Sequence, residues 1–427
     1  MTSSIRRRAP WALCSALALT LVTTVACRDI TTLEQKDPSH LDAGTLFVPA
    51  NAQLLVNGAI SDFECAYNRY VVGSGILSDE LTDAIAFIQS YDYDRRTMPP
   101  SAPYGTNDCT SQQVPGVYTP LSVARASADT ILAKLEGWTD EEVPNRTKLI
   151  GQSAASAGYS LLLLGEGMCS AAINIGPEMT SEQLFAEAKS RFDKAIAAAT
   201  AAEDATTLQF ALLGRARAFL DLGDLTNAAT DAAEIPEGFV VAVNADAADV
   251  RRQNLVYMHT VQGAFSSVDP SFRNVMWDTV PDPRVASTDL GLVGTNGHTE
   301  VWAADKYATI TAPMPIAKWA EAQLILAEAA VAANDLDGAE SIINKLHTKA
   351  GIPAYDATGA SKAEVLAQVI EERRRELFLE GHRLGDIRRY DLPLVPAPGS
   401  AYVNGGTYGD QRCFPLPDVE RIHNPNL

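Results

Sequence analysis

Apolar residues recur at three- and four-residue intervals along most of the chain, the spacing of one face of an α-helix. Leu121, Ala124, Ala128 and Ile131 show this spacing clearly. Glycine, proline or a capping residue lies near most ends of such runs. The pattern therefore predicts a mainly α protein, with helices over residues 51–77, 121–137, 145–164, 181–201, 206–221, 225–234, 316–333, 335–349 and 361–380.

Two pairs of predicted helices, in residues 212–233 and 323–344, have matching sequences. In each pair an alanine on the first helix lies twelve positions before an alanine on the second, and a Gly-Asp or Asn-Asp turn lies between them. This is the spacing of tetratricopeptide repeats, in which small residues let two helices touch. A generic helical hairpin is the alternative. Because the pairs are not tandem, we predict a tetratricopeptide-like helical hairpin scaffold with long irregular loop insertions.

Two long segments, residues 90–118 and 236–315, lack the helical pattern. Long irregular segments on a rigid frame usually carry function. Aromatic rings stack on the apolar faces of sugars, while side chains such as Asp282, Arg284 and Asn296 can bond hydroxyl groups. Each aromatic could instead be a packing residue, and the aromatic content of 7% argues against an extended stacking platform. The predicted ligand-binding residues are Tyr91, Tyr93, Tyr104, Trp277, Trp302 and Tyr307.

The N-terminus has the pattern of a lipoprotein signal peptide. Three arginines at positions 6–8 precede an apolar segment over residues 11–22, and small residues lead to Cys27. We predict cleavage after residue 26 and lipidation of Cys27. Cys14 lies inside the apolar segment, where cleavage would leave that segment incomplete. Ordinary secretion with Cys27 unmodified is the alternative.

Charge and cysteine content restrict the possible partners. The formal net charge is −19, so the surface repels nucleic acid and anionic lipid headgroups. Two disulfides are plausible in an exported protein, in any of three pairings. No CxxC or histidine-rich spacing is present, and we predict neither a metal nor a cofactor. The cysteines that could form these disulfides, apart from Cys14 and Cys27 of the signal peptide region, are Cys65, Cys109, Cys169 and Cys413.

Catalysis finds little support in the sequence. The GxSxG, P-loop and HExxH motifs are absent. Asp79 and Glu80 could in principle hydrolyse a glycoside, but the chain has 53 acidic residues and such neighbours arise by chance. We predict that the protein is not an enzyme.

The C-terminal region carries the longest motif. It consists of EERRRELFLEGHR at 371–383, DIRRY at 386–390 and CFPLP at 413–417. This block resembles the C-terminal signature of the SusD/RagB family, and residues 302–328 also resemble that family. We expect Glu321 and Glu328 to form ion pairs with basic groups such as Arg373 or Arg374. The prolines of 414–417 exclude a helix, so this segment should be extended.

The resemblance implies a location, a function and partners. Proteins of this family are outer-membrane lipoproteins that capture nutrients for a TonB-dependent transporter. By resemblance, this protein captures an oligomeric nutrient, a glycan or a peptide, and delivers it to a SusC-like transporter. It would contact the membrane only through its lipid anchor and would not bind nucleic acid. The alternatives are a tetratricopeptide scaffold lipoprotein for envelope assembly and a surface glycoside hydrolase.

The resemblance also suggests a domain organisation. A signal peptide over residues 1–26 precedes a single SusD-like helical domain over 27–427. Within this domain we expect four parts. These are an N-terminal tether (27–50), a helical scaffold with a loop insertion at 90–118 (51–235), a loop-rich ligand region (236–315) and the signature region (316–427).

Overall fold

The computed structural model describes residues 43–427. The predicted signal peptide and the predicted lipidation site at Cys27 lie outside the described residues, as does most of the predicted tether. A short helix, Ala43–Leu46, belongs to an N-terminal unit that ends at Val48, and Pro49–Leu427 form a second unit. Among the described residues, no helix is both long enough and apolar enough to cross a membrane.

Helices make up most of the second unit, and the predicted mainly α fold class is confirmed. Helix α5 has the predicted bounds, and a capping box between Thr180 and Gln183 fixes its start. The helices are α1 Ala52–Leu77, α2 Ile88–Asp94, α3 Tyr118–Gly137, α4 Arg146–Gly167, α5 Ser181–Ala201, α6 Ala205–Asp221, α7 Leu225–Ala233, α8 Trp319–Ala332, α9 Leu336–Ala350, α10 Lys362–Glu376, α11 Arg383–Arg389 and α12 Asp418–His423.

The two predicted hairpins, α6–α7 and α8–α9, have the same turn. Gly223 and Asn334 take left-handed backbone angles, with φ of 77° and 63°. The aspartate that follows each of them accepts a hydrogen bond from a backbone N–H at the start of the next helix. Ala216, Ala228, Ala327 and Ala339, the matched alanines, are all fully buried. Helix α7 also packs on α8, which joins the hairpins into one stack.

A third hairpin, α5–α6, has the same turn but was not predicted. Glu203 is left-handed, with φ of 52°, and the Asp204 side chain accepts a hydrogen bond from the Thr207 N–H. Glutamate is uncommon at a left-handed position, which glycine and asparagine favour. The sequence signal for this repeat is correspondingly weak.

Two predicted helix ends are wrong. Residues 315–318 form a strand, and α8 begins only at Trp319, whose N–H donates to the Phe239 carbonyl. Helix α10 ends at Glu376 and does not reach Glu380. The chain then turns because the apolar residues 377–379 enter the core and Leu379 adopts φ of 54°. The first predicted loop also contains a helix, α2, at its start.

Eight short strands form antiparallel pairs in the described part of the chain. Most lie in the predicted non-helical segment 236–315, together with the helical turns Leu255–Tyr257 and Met258–Gln262. The pairs are β1 (Leu81–Asp83) with β3 (Ser266–Val268), β2 (Val240–Ala242) with β8 (Pro315–Lys318), β4 (Met276–Trp277) with β5 (Val280–Pro281), and β6 (Ser287–Val293) with β7 (Glu300–Ala304).

The main core lies between α1, α3, α4, α5 and α6. Glycines on α4 and α6 allow close approach, because a Cβ at Gly158 or Gly214 would lie 2.7 or 2.5 Å from the Phe192 ring. These small residues therefore let α4 and α6 pack closely against α5. A smaller core joins α8, α9 and α10 through residues such as Ala327, Ile343 and Val369.

Two disulfides select one of the three possible pairings. Cys65–Cys109 joins α1 to the first loop, and Cys169–Cys413 joins the end of α4 to the C-terminal segment. Next to the second disulfide, the Cys169 N–H donates to the Phe414 carbonyl at 2.8 Å. The segment 414–417 is extended, as its prolines predict.

The C-terminal signature is a set of buried ion pairs that connect α10 and α11 to the rest of the scaffold. Arg383 binds Asp79 through two bonds of 2.7 Å, and Arg373 binds Asp386. The expected partners of two glutamates were wrong, because Glu328 pairs with Arg389 of α11 and Glu321 lies 3.9 Å from Arg217. Buried pairs of this kind fix relative positions more than they add stability.

Candidate ligand-binding surface

Helix α2 carries two of the predicted ligand residues, one facing the surface and the other facing the core. Tyr91 and Tyr93 are two positions apart, so their side chains point to nearly opposite sides of the helix. Tyr91 is half-buried, whereas Tyr93 is fully buried and donates its hydroxyl to the Pro115 carbonyl at 2.8 Å. The ring of Tyr93 packs against Tyr104 and Phe414. Tyr93 and Tyr104 thus anchor the first loop and offer no accessible ring surface.

Tyr91 belongs to a cluster of three tyrosines. Its ring centroid lies 6.0 Å from that of Tyr402, which in turn lies 5.2 Å from that of Tyr408. We call Tyr91, Tyr402 and Tyr408 the tyrosine cluster. The guanidinium of Arg96 lies 4.8 Å from the Tyr408 centroid and holds that ring from one side.

A tight turn in the C-terminal segment supplies two members of this cluster. The Tyr402 N–H donates to the Gly406 carbonyl and the Tyr408 N–H to the Ser400 carbonyl. Gly405 and Gly406 both have positive φ, which the turn requires. This turn was not predicted, although its glycines and tyrosines are typical of a structured loop. Nothing local to the sequence indicates that it meets α2.

Two carboxyl groups lie beneath the tyrosine cluster. Asp94 accepts hydrogen bonds from the Thr82 hydroxyl and the Asp83 N–H, both at 2.9 Å, and from the Tyr402 hydroxyl at 3.3 Å. Burial raises the pKa of Asp94 to about 6. Burial also raises the pKa of Asp83 to about 8, and Asp83 accepts a hydrogen bond from Ser90. This network fixes α2 and the turn relative to each other.

The β6–β7 hairpin borders the same surface. Its tip bonds the end of β1 and the segment that follows. The Asn296 side-chain amide donates to the Asp83 carbonyl, and the Thr295 hydroxyl accepts from the Ala86 N–H. The proposed hydroxyl-binding role of Asn296 is therefore replaced by a structural one. Each of the two bonded segments also has an exposed apolar side chain. Phe87, after β1, is 44% exposed, and Val293, at the end of β6, is 62% exposed.

The remaining predicted aromatics lie elsewhere. The Trp277 N–H donates to the Pro353 carbonyl at 2.8 Å, and its ring meets His347 edge-on. Trp302 is half-buried beside Arg273. Tyr307 is buried and donates its hydroxyl to the Leu379 carbonyl.

The six predicted residues do not form one aromatic group. Tyr93 and Tyr104 are in ring contact with each other, and in residues 43–427 no ring contact joins either of them, or Tyr91, to Trp277, Trp302 or Tyr307. Tyr91, Trp277 and Trp302 retain accessible surface, and for these three ligand contact stays a prediction. Arg284 is also structural, because it pairs with Asp282 and the buried Glu372.

The architecture defines a class: a mainly α protein built on tetratricopeptide-like hairpins with large loop insertions. Residues 272–415 match the model of the SusD family. No curated protein matches the chain. The predicted resemblance to the SusD family is confirmed by the family match and by similar solved structures.

Those solved structures share the fold over most of both chains. A SusD superfamily protein from Bacteroides vulgatus has a TM-score of 0.69 and 16% identity, with 89% of this chain and 98% of that chain covered. A SusD-like protein from Bacteroides fragilis has a TM-score of 0.66 and 13% identity, with 91% and 98% covered. A SusD-like carbohydrate binding protein from Bacteroides vulgatus has a TM-score of 0.65 and 18% identity, with 89% and 97% covered.

Proposed function

We propose that this protein is an outer-membrane lipoprotein that captures an oligomeric nutrient and delivers it to a SusC-like TonB-dependent transporter. The observation that carries the proposal is the tyrosine cluster, which presents an aromatic ring on a surface held rigidly by hydrogen bonds. The SusD-type fold, and the description of one similar structure as a carbohydrate binding protein, support a glycan over a peptide as the nutrient.

The tyrosine cluster suits a sugar chain. The accessible ring of Tyr91 can stack on the apolar face of one sugar residue, and the exposed apolar side chains of Phe87 and Ile88 can contact the next. The ring of Tyr402 packs edge-on against Tyr91 and is itself packed against Tyr408. Because the hydroxyls of Thr82 and Tyr402 both donate hydrogen bonds to Asp94, the surface needs little reorganisation on binding.

The sequence pattern supports the lipid anchor, and the resemblance to the SusD family supports the transporter. The pattern before Cys27 predicts diacylation, and a tether over residues 27–50 would connect the anchor to the folded unit. An acidic protein of this kind would approach the membrane only through its lipid. Binding, rather than catalysis, is the activity that this arrangement supports.

A glycan-binding assay tests the proposal. Affinity electrophoresis in gels that contain starch, xylan, mannan or pectin should show that at least one glycan retards the wild-type protein. The Tyr91→Ala variant should bind that glycan about tenfold more weakly, because it loses one stacking ring. Trp138→Ala, at the end of α3, removes a half-buried aromatic outside this surface and is the matched control. Equal retention of Tyr91→Ala and wild type would contradict a site at the tyrosine cluster, and retardation by none of the glycans would contradict glycan capture.

A further inference from the structure

A cavity of about 570 Å³ lies between the helical scaffold and α11. Asp221 at the end of α6, Glu328 in α8 and Tyr390 after α11 line it. None of the six predicted ligand residues and no member of the tyrosine cluster takes part in its wall. The cavity has the volume of a small-molecule site.

Within residues 43–427, three buried polar atoms of this wall have no hydrogen-bond partner. They are Asp221 Oδ2, Glu328 Oε2 and the Tyr390 hydroxyl. Glu328 is only 6% exposed. Buried polar atoms in folded proteins are nearly always satisfied, so atoms that lack a partner at a cavity indicate that a ligand or water completes them.

The charges around the cavity are already balanced. The other oxygen of Glu328 accepts from Arg389, and both oxygens of Glu166 accept from Arg217. Burial and the neighbouring Glu166 carboxylate raise the pKa of Asp221 well above its ordinary value. The remaining charged side chains of the wall, Arg388 and the exposed Glu182, have opposite signs, and an anionic ligand would also face the free oxygen of Glu328.

Arg388, which also lines the cavity, makes four hydrogen bonds to the protein. Arg388 donates to the carbonyls of Gly165, Glu166 and Met168 and to the Ser181 hydroxyl. Its hydrogen-bonding capacity is used to hold α11 against the end of α4. An anion that took over these donors would release α11 from the end of α4.

Apolar side chains complete the wall. Phe185, Leu220, Leu222 and Leu225 line the cavity together with the polar atoms. A ring compound with hydroxyl groups on one side and an apolar face on the other matches this division. We propose that the cavity is a second binding site, separate from the tyrosine cluster, for a neutral polyhydroxylated molecule of monosaccharide size.

Ligand-observed NMR and calorimetry on the purified full-length chain in detergent test this site. The neutral probes are D-glucose, D-galactose, D-mannose and myo-inositol, and the charged probes are putrescine and inorganic phosphate. Tyr390→Phe deletes only the unpartnered hydroxyl and keeps the ring that stacks on Arg389. Leu222→Trp fills the cavity from a partly exposed position. Tyr355→Phe, which removes a hydroxyl outside the cavity, is the matched control.

We expect at least one neutral probe to bind. Both cavity variants should weaken its binding by about tenfold or more, because Tyr390→Phe removes a hydrogen bond and Leu222→Trp fills the space. Tyr355→Phe and Tyr91→Ala should leave that affinity unchanged. The proposal is overturned if no neutral probe binds, if a charged probe binds this site more tightly, or if the cavity variants bind as the wild type does. Loss of binding in Tyr91→Ala alone would also overturn it, while supporting glycan capture at the tyrosine cluster.

Discussion

At the scale of single residues, burial separates structural tyrosines from exposed ones. Tyr93 and Tyr104 have every feature that the sequence can offer for a ligand contact, since both lie in a proline-rich loop. The helix α2, which the sequence did not predict, turns Tyr93 inward and leaves Tyr91 outside. The local sequence did not indicate that α2 would form, and so it could not separate the two tyrosines.

The contact between Tyr91 and Tyr402 illustrates a second limit. The two residues lie in separate segments of the chain, and the turn that carries Tyr402 has no motif in common with α2. Only the folded chain, through Asp94 and the C-terminal segment, brings them within 6.0 Å. The sequence therefore identified one member of the tyrosine cluster and missed two.

Asp83 makes stability depend on pH. Its pKa in the folded protein is about 8, raised by burial from the ordinary 3.8, so the folded state binds a proton that the unfolded state releases. This contribution is complete below about pH 4 and is lost as the pH rises through 8. Asp83→Asn cannot ionise. Between pH 6 and pH 9 the variant should therefore gain on the order of 2 kcal/mol in unfolding free energy relative to wild type.

Chemical denaturation at the two pH values measures this difference. Asp337→Asn, on the exposed surface of α9, removes one negative charge without altering the loop network and serves as control. A difference between Asp83→Asn and wild type that stays constant from pH 6 to pH 9 would show that Asp83 is not protonated in the folded protein.

At the scale of elements, the hairpins were the most predictable feature. The alanines twelve positions apart are needed because the two helices touch there. The Gly-Asp or Asn-Asp turn is needed because a left-handed residue must precede the aspartate that caps the next helix. The start of α8 was not predictable in the same way. Residues 316–318 continue the helical spacing of the residues that follow, but pairing with β2 places them in a strand. Long-range pairing thus overrides a local preference.

Close packing of α8 on its neighbours gives a second stability prediction. Ala327 is fully buried in the small core shared by α8, α9 and α10. Ala327→Leu should force these helices apart and lower the unfolding free energy by about 1–3 kcal/mol. Ala332→Leu adds the same side chain to an exposed position on the same helix and should have little effect. Thermal or urea unfolding compares the two, and equal stability of both variants would mean that the alanine is not required for helix contact.

At the scale of the whole molecule, the scaffold and the binding surface are built from different parts of the chain. The C-terminal signature contributes buried ion pairs, such as Arg383 with Asp79 and Arg373 with Asp386, that hold α10 and α11 on the scaffold. The strong sequence pattern of this signature therefore indicates the fold, because its residues hold the helices together. The surface loops have a weaker sequence pattern than the signature does. For this reason the family resemblance could be predicted from the sequence, whereas the binding site could be predicted only in part.

The central claim is that this protein captures a nutrient for a transporter in the same membrane. Affinity purification of the native protein from gently solubilised outer membranes, followed by identification of the proteins recovered with it, tests this claim most directly. We predict recovery of a TonB-dependent β-barrel transporter in comparable amount. Recovery of envelope assembly factors without such a transporter would contradict the uptake role and favour a tetratricopeptide scaffold lipoprotein.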